Sequence, residues 1–474
     1  MINTASEFHK ILKDNYGFQP TLSQDVLLQK LAKFTFSSDQ RPVFVLKGYA
    51  GTGKTSSMRA FVKSLWHTGK KTVLLAPTGR AAKVLGSYTG KKAHTIHRQI
   101  YQPKKSKDGG VKFVRQVNKS HNTIYVIDEA SMISDGVAVY GQKSLLEDLV
   151  DYVFSSKNNA IIFLGDTAQL PPVKYELSPA LEEETLTLNY DSDTQGLELT
   201  EVVRQSQESG VLYNATEIRN IIGDYYDQNF QFQLGFEDLV FLDDSYDIQD
   251  ALVNSYDHGI GVEETVFIVR SNKRANQYNN QIRSKIRGDD GELVVGDYIM
   301  VVKNNYFWLP SGSEAGFIAN GDICEVLEIF SFKELYGFRF AEIKVRMIDY
   351  PNQAPFETVV IMDTLQSESP SLPYEESNRL YHEVMADYKH IGAKYKQLQE
   401  VKKNKYFNAL QIKFSYAITC HKSQGGQWNN VFIEKPYLQD GQSKAYLRWL
   451  YTALTRAQKK VYLIGFKQED FLES

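Results

Sequence analysis

The stretch Pro42-Val43-Phe44-Val45-Leu46-Lys47-Gly48-Tyr49-Ala50-Gly51-Thr52-Gly53-Lys54-Thr55 decides the fold class. Its first six residues form a short apolar run that reads as a buried strand, and its last eight fit the pattern G-x-x-x-x-G-K-[ST]. In that pattern successive backbone N–H groups curl around phosphate oxygens at the start of a helix, and glycine is needed wherever backbone must touch the ligand. Behind it, Met58, Phe61, Val62, Leu65 and Trp66 recur at helical spacing until Gly69. Strand, loop and helix in this order predict an α/β nucleotide-binding unit. Gly48, Ala50, Gly51, Thr52, Gly53, Lys54, Thr55 and Ser56 would line the phosphates, with Lys54 on the β- and γ-phosphates and Thr55 on Mg2+. A glycine-rich turn with a surface lysine is the plain alternative, and the flanking elements argue against it.

Working outward, a second apolar strand ends in Asp128-Glu129-Ala130-Ser131. An isolated Asp-Glu pair is usually solvated charge, but next to a phosphate loop it supplies what phosphoryl transfer needs: Asp128 for magnesium and Glu129 for the attacking water. A third strand, Ala160-Ile161-Ile162-Phe163-Leu164, runs into a polar loop that carries Gln169, a candidate γ-phosphate contact at the strand edge where α/β sheets bind ligands. Asn272-Lys273-Arg274-Ala275 lacks the aspartate that guanine recognition would want, and no H-R-D or D-F-G triplet occurs, so ATP is the expected nucleotide.

The bulk numbers set the frame. A chain of 474 residues exceeds what one core usually organises and predicts about three domains. Hydrophobic residues at 42% and charged residues at 23% are ordinary for a folded globular protein. The net charge of −3 excludes a uniformly basic protein, so a nucleic-acid site would have to be a local groove. Cys324 and Cys420 are too few for a disulfide framework or a cysteine-based zinc site. The N-terminal residues lack a signal-peptide pattern and no apolar run approaches the roughly 20 residues that span a bilayer. The expectation is a cytoplasmic protein without a membrane partner.

Six stretches together bear on function: APTGRAAKVL (76–85), DEAS (128–131), GDTAQLPPV (165–173), LTEVVRQ (199–205), YAITCHKSQGGQWNNVFIE (416–434) and YTALTRAQKKVYLIG (451–465). In order and spacing they resemble the motifs of superfamily 1 helicases. VRSNKRANQYNNQIRSKI (269–286), VGDYIMVVKNNY (295–306) and FIANGDICEV (317–326) are similar to the RecD/Dda-like branch rather than the Rep/UvrD-like one. The resemblance extends from about Gln24 to Gly465. It implies two RecA-like domains with parallel sheets that close on ATP, an inserted β-hairpin, an inserted SH3-like small β-barrel, and movement in the 5′-to-3′ direction. It implies that Gln24 contacts adenine, that Gln424 reaches the nucleotide, and that Arg204 and Arg456 are arginine fingers making hydrolysis conditional on closure.

The implied layout is a first RecA-like domain at 1–93 and 121–195, a hairpin at 94–120, a second RecA-like domain at 196–290 and 407–474, and a barrel with a charged helical arm at 291–406. A single strand would lie along backbone-tracking donors and rings. The candidates are Pro77, Thr78, Arg80, His94, Thr95 and His97 in the first half, and Thr419, His421, Lys422 and Ser423 in the second. In the hairpin, read over 98–120 with its turn at Lys107-Asp108-Gly109-Gly110, Tyr101 or Phe113 would be the stacking ring of a strand-separating pin. The arm is either a docking element for replication or repair proteins or a buttress. The expected protein is a monomeric ATP-driven helicase on single-stranded DNA and its junctions. An RNA helicase or remodeller of RNA–protein complexes is the same-chemistry alternative, and a non-processive ATP-gated clamp is the one from another class.

Overall fold

A strand buried on both faces needs apolar residues at every position, and the strand leading into the phosphate loop, β1 (Pro42–Gly48), has them. The computed structural model describes residues 2–105, 111–136, 143–202, 209–224, 229–256, 261–310, 313, 315–439 and 441–472. With β2 (Lys71–Ala76), β3 (Ala93–Thr95), β6 (Thr123–Ile127), β7 (Ala160–Gly165) and β8 (Asp193–Leu199), β1 forms a sheet of order β3-β2-β6-β7-β1-β8, every pairing parallel. Alternate side chains enter two cores. Val43, Val45, Tyr125 and Ile161 pack on one face, and Phe44, Leu46, Val126 and Ile162 on the other. Helices cover both, so ligands are left the edge at the strands' C-terminal ends.

Between β3 and β6 the antiparallel ribbon β4 (Tyr101–Lys105) and β5 (Val111–Arg115) pairs Tyr101 with Arg115 and Pro103 with Phe113. The expected turn at 107–110 and the side chain of Phe113 lie outside the described residues.

The second half repeats the architecture. The strands β9 (Leu239–Leu242) and β10 (Thr265–Val269) precede an excursion, and β16 (Ala417–Thr419), β17 (Trp428–Glu434) and β18 (Ala457–Ile464) complete a parallel sheet of order β16-β10-β17-β18-β9. The excursion is a closed five-stranded barrel of β11 (Tyr298–Val301), β12 (Ile323–Leu335), β13 (Phe338–Met347), β14 (Phe356–Ile361) and β15 (Leu410–Phe414). The sequence reading had the chain from 407 onward in the second α/β domain, yet Leu410–Phe414 closes the barrel, pairing with β14 in parallel and with β11 in antiparallel. A fully buried five-residue run suits a barrel stave and a sheet strand equally, and only closure separates them.

The charged arm between β14 and β15 is two helices, Tyr374–Asp387 and Lys394–Lys403. Leu380, Val384 and Val401 bury their apolar faces against Phe338 and Phe340 of the barrel. The helix Lys54–Ser64 tightens into a 3-10 turn at Leu65–Thr68. That change of pitch swings Trp66, expected on the core stripe, out to 66% exposure, where it stacks on His67 at 3.7 Å. Among the described residues no helix is long and apolar enough to cross a membrane.

Candidate functional site

The phosphate loop leaves β1 in a conformation only glycine takes easily, with φ of +75° at Gly51 and +89° at Gly53. Gln24 seats the loop from outside: its Nε2 donates to the Thr52 carbonyl at 3.0 Å, and a Cβ on Gly53 would lie 2.5 Å from that nitrogen. Its Oε1 meanwhile accepts from Thr21 N, completing the capping box of the helix Leu22–Thr35. The Lys54 ammonium folds back on the loop and donates to the carbonyls of Gly48 and Tyr49. Ala50, Gly51, Gly53, Lys54 and Thr55 line a cavity of about 210 Å³.

Carboxylates from the ends of β6 and β7 face this lysine. Asp128 accepts the Tyr88 hydroxyl at 2.6 Å and the Glu129 N–H at 2.8 Å. Glu129 has φ of +52°, a left-handed conformation that costs a non-glycine residue about 1 kcal/mol or more and aims its carboxylate into the cavity. Burial pushes the Glu129 carboxyl up, with Arg456 opposing and Asp128 adding to the rise. Burial likewise pulls the Lys54 ammonium down against Asp166, Asp128 and Glu129. A carboxyl held above its usual range is better suited to take a proton from water than an exposed one. Thr55 and Asp128 line the same cavity and offer oxygen donors that suit a hard cation. Among the described residues no group of three or more His, Cys, Asp or Glu is arranged to hold a metal ion by itself.

The far wall comes from the second sheet. Arg456, 3% exposed, is held by the carbonyls of Thr452 at 3.0 Å and Gly426 at 3.4 Å and stands 3.7 Å from Glu129. Tyr451 bridges the two halves: its hydroxyl accepts the Ala50 N–H at 2.9 Å and donates to Asp166 at 2.7 Å. Thr452 Oγ1 accepts the Leu170 N–H at 2.9 Å, and Gln424 Nε2 donates to the Leu170 carbonyl at 2.7 Å. Gln169 is buried beside them, its Oε1 without a partner among the described residues, and it lines the cavity. The structure thus gathers Lys54, Thr55, Asp128, Glu129, Gln169 and Arg456 around one space and leaves Gln424 one residue behind its wall. Arg204 lies outside the described residues. Sequence reasoning missed Asp166, Tyr451 and Tyr88 as members of the site. The first two lay inside motifs already quoted, whereas Tyr88 sits on a helix with nothing local to mark it.

The residues expected along a single strand divide by local role. Thr78 and Thr95 cap the helices Gly79–Thr89 and Ile96–Ile100, accepting from Ala81 N at 3.2 Å and Arg98 N at 3.3 Å. Pro77 follows β2, and His94 sits in the edge strand β3. Arg80 reaches across to the second half, its guanidinium 4.1 Å from the Trp428 ring centre. A Cβ on Gly425 would lie 2.8 Å from Ala81 and 3.3 Å from Thr78, so the two lobes meet here. His97, its imidazole pushed down by burial, lies 5.7 Å from Tyr101, whose hydroxyl donates to Asp148 at 2.7 Å. Thr419 precedes the short helix Cys420–Ser423, in which His421 is exposed and the Ser423 hydroxyl is spent on the Cys420 carbonyl. Lys422 differs: its Nζ is buried without a partner among the described residues, and burial, with Lys413 nearby, brings the ammonium down to about 8.

Two family models match, an AAA domain over residues 28–221 and a UvrD-like helicase C-terminal domain over 414–464. The chain is 23% identical to the ATP-dependent DNA helicase dda of Enterobacteria phage T4, covering 88% of this chain and 93% of that one. It is 30% identical to the ATP-dependent RecD2 DNA helicase of Deinococcus radiodurans, over 36% of this chain and 21% of the relative. Protein R530 of Acanthamoeba polyphaga mimivirus is 24% identical, with 94% and 99% covered. Among solved structures, Pif1 helicase from Bacteroides in complex with ADP-AlF3 and ssDNA aligns over 96% of this chain and 95% of that one, at 17% identity and a TM-score of 0.47.

Proposed function

For a chain that belongs to the RecD/Dda-like superfamily 1 helicases and hydrolyses ATP, we propose a translocase that moves 5′-to-3′ on single-stranded DNA and unwinds duplexes at forks. The observation that carries this reading is the pairing of Arg456 from one sheet with Glu129 from the other, 3.7 Å apart over a cavity that also holds Lys54. Chemistry split between two lobes turns only when they close, so each turnover is tied to a relative movement.

In this reading Lys54 and the N–H groups of residues 50–56 hold the phosphates, Thr55 and Asp128 hold Mg2+, which neutralises phosphate charge, and Gln24 lies beside the base. Glu129 takes the proton of the attacking water. Arg456, joined by Arg204, stabilises charge at the γ-phosphate, and Gln169 reports its presence to the strand side. Gln424 and Tyr451 carry the signal between lobes. Lys422, a buried ammonium without an acceptor among the described residues, is completed by a strand phosphate. Pro77, Thr78, Arg80, His94, Thr95, His97, Thr419, His421 and Ser423 line the strand's track, with Tyr101 or Phe113 at the pin. The direction of travel rests on the family resemblance.

The test is ATP hydrolysis with and without single-stranded DNA in the parent and in Lys54→Ala, followed by displacement of a strand from substrates with a 5′ or a 3′ tail. Strand-stimulated turnover that needs Lys54, with unwinding from the 5′ tail only, is the expected result. Turnover indifferent to the strand would leave an ATP-gated clamp, and stimulation by RNA but not DNA would leave an RNA helicase.

A further inference from the structure

A cavity of about 640 Å³ lies away from the phosphate loop, between the barrel and its arm. One wall is the loop after β11, with Lys303, Tyr306 and Phe307; the other is the helix Tyr374–Asp387, with Ser377, Asn378 and Tyr381; the floor is the turn into β15, with Phe407 and Asn408. Its size is that of a small-molecule site, roughly 300–1,000 Å³. Two lysines, Lys303 and Lys402, line it and no carboxylate does, in a chain whose acidic residues outnumber its basic ones. Phe307 is 39% exposed, and Tyr381 meets Phe407 edge-on with ring centres 6.1 Å apart. Carboxamides and hydroxyls alternate with these rings, and part of that polarity is already spent in fixing the walls. Asn305 and the Trp308 indole both donate to the Asn408 carbonyl at 2.8 Å, which pins the loop to the floor.

The cavity also connects to the strand's proposed track. Ring centres step from Tyr101 to His97 at 5.7 Å, from His97 to Phe317 at 6.3 Å, and from Phe317 to Tyr306 at 4.9 Å, so the last ring of the series lines the cavity while the first stands at the root of the hairpin. A surface lined by rings, amides and lysines, with no carboxylate among its described lining residues, is what an unpaired nucleotide needs: a face on which to stack, donors and acceptors for base edges, and a cation for the phosphate.

We propose that the space between barrel and arm is a binding site for an unpaired nucleotide of the DNA strand, the base among Tyr306, Phe307, Tyr381 and Phe407 and its phosphate met by Lys303 and Lys402. The proposal rests on the helicase reading above and adds a station to it. Stacking tolerates any base, so the site holds a passing strand without reading it, and the arm becomes a wall of that station as well as a buttress.

The experiment uses the full chain and needs no mutation at first. Forked DNA carrying a single 5-iodouracil, placed in turn along the tracked strand and along the displaced strand, is cross-linked to the protein by light and the adducts are mapped. Adducts at Tyr306, Phe307 or Tyr381 support the site, and the strand that yields them identifies its source. Adducts confined to the hairpin root and the lobe junction overturn it while leaving the helicase reading intact. In a second measurement, Lys303→Glu and Asn378→Trp, the latter filling the cavity, weaken binding of a twelve-nucleotide oligothymidylate about tenfold, given the usual contribution of one stacked base. Unchanged affinity in both variants, with melting temperatures at the parental value, overturns the proposal. A parent chain that binds no single strand overturns it together with the helicase reading.

Discussion

The nucleotide cleft and the barrel–arm cavity are both walled by segments distant in sequence, yet they are built in opposite ways. In about 210 Å³ the cleft concentrates Lys54, Asp128, Glu129, Asp166 and Arg456, and its hydrogen bonds run between lobes through Tyr451, Thr452 and Gln424. The cavity spreads rings and amides over three times that volume without a carboxylate. Dense opposed charge on buried groups makes each group's position matter, because electrostatic interactions there are poorly screened. Rings in a roomy space tolerate displacement, because stacking has a broad minimum. The difference predicts steep losses on substitution in the cleft and shallow ones along the proposed track of the strand.

The largest effects break or sustain the first half of that contrast. Lys54→Ala and Arg456→Ala each lower the turnover number for strand-stimulated ATP hydrolysis by about 10³-fold while strand binding persists, as expected for groups that meet developing phosphoryl charge. Loss of less than about tenfold in Arg456→Ala would refute the two-lobe account of the cleft. Tyr451→Phe keeps the ring but deprives Ala50 N–H of its acceptor and Asp166 of a donor. About 1–2 kcal/mol of stability should go with it, read by urea unfolding, and turnover should fall about tenfold.

A smaller effect belongs to the strand side. The Lys422 ammonium sits at about 8, lowered by burial and by Lys413. A phosphate that accepts its hydrogen bond raises that value, so binding takes up a proton in the window between the free and bound values. Affinity for single-stranded DNA is then constant below about pH 7 and weakens as the pH rises through 8, by up to about tenfold near pH 9, and Lys422→Arg flattens the curve. Titrations followed by fluorescence anisotropy check both. The smallest effect is at Trp66: at 66% exposure, Trp66→Ser changes stability by only about 0.5 kcal/mol, where a core position on the apolar stripe would cost several.

These positions also mark how far the chain was legible. The phosphate loop, the Asp128-Glu129 pair and the apolar strands that lead into them were readable because each is a local pattern: an apolar strand ended by groups whose spacing the ligand dictates. The hairpin was readable as a ribbon because β4 and β5 are neighbours in sequence. Trp66 was misplaced because a 3-10 turn changes the angle per residue without any composition signal. Tyr88 was invisible because a tyrosine on a half-buried helix face acquires its meaning only from Asp128, forty positions away.

From its sequence alone the chain determines a phosphate loop with its acidic partners and the strands that carry them, since apolar periodicity and glycine placement act over a few residues, while the pair of α/β halves followed from the family resemblance of its motifs. Tertiary structure decided that Leu410–Phe414 closes a barrel, that Tyr451 joins Ala50 to Asp166, that Arg456 faces Glu129, and that a ring-lined space opens beneath the arm. Each of these depends on which buried surfaces meet across long loops, and an equally apolar strand or an equally ordinary tyrosine carries no local record of its partner.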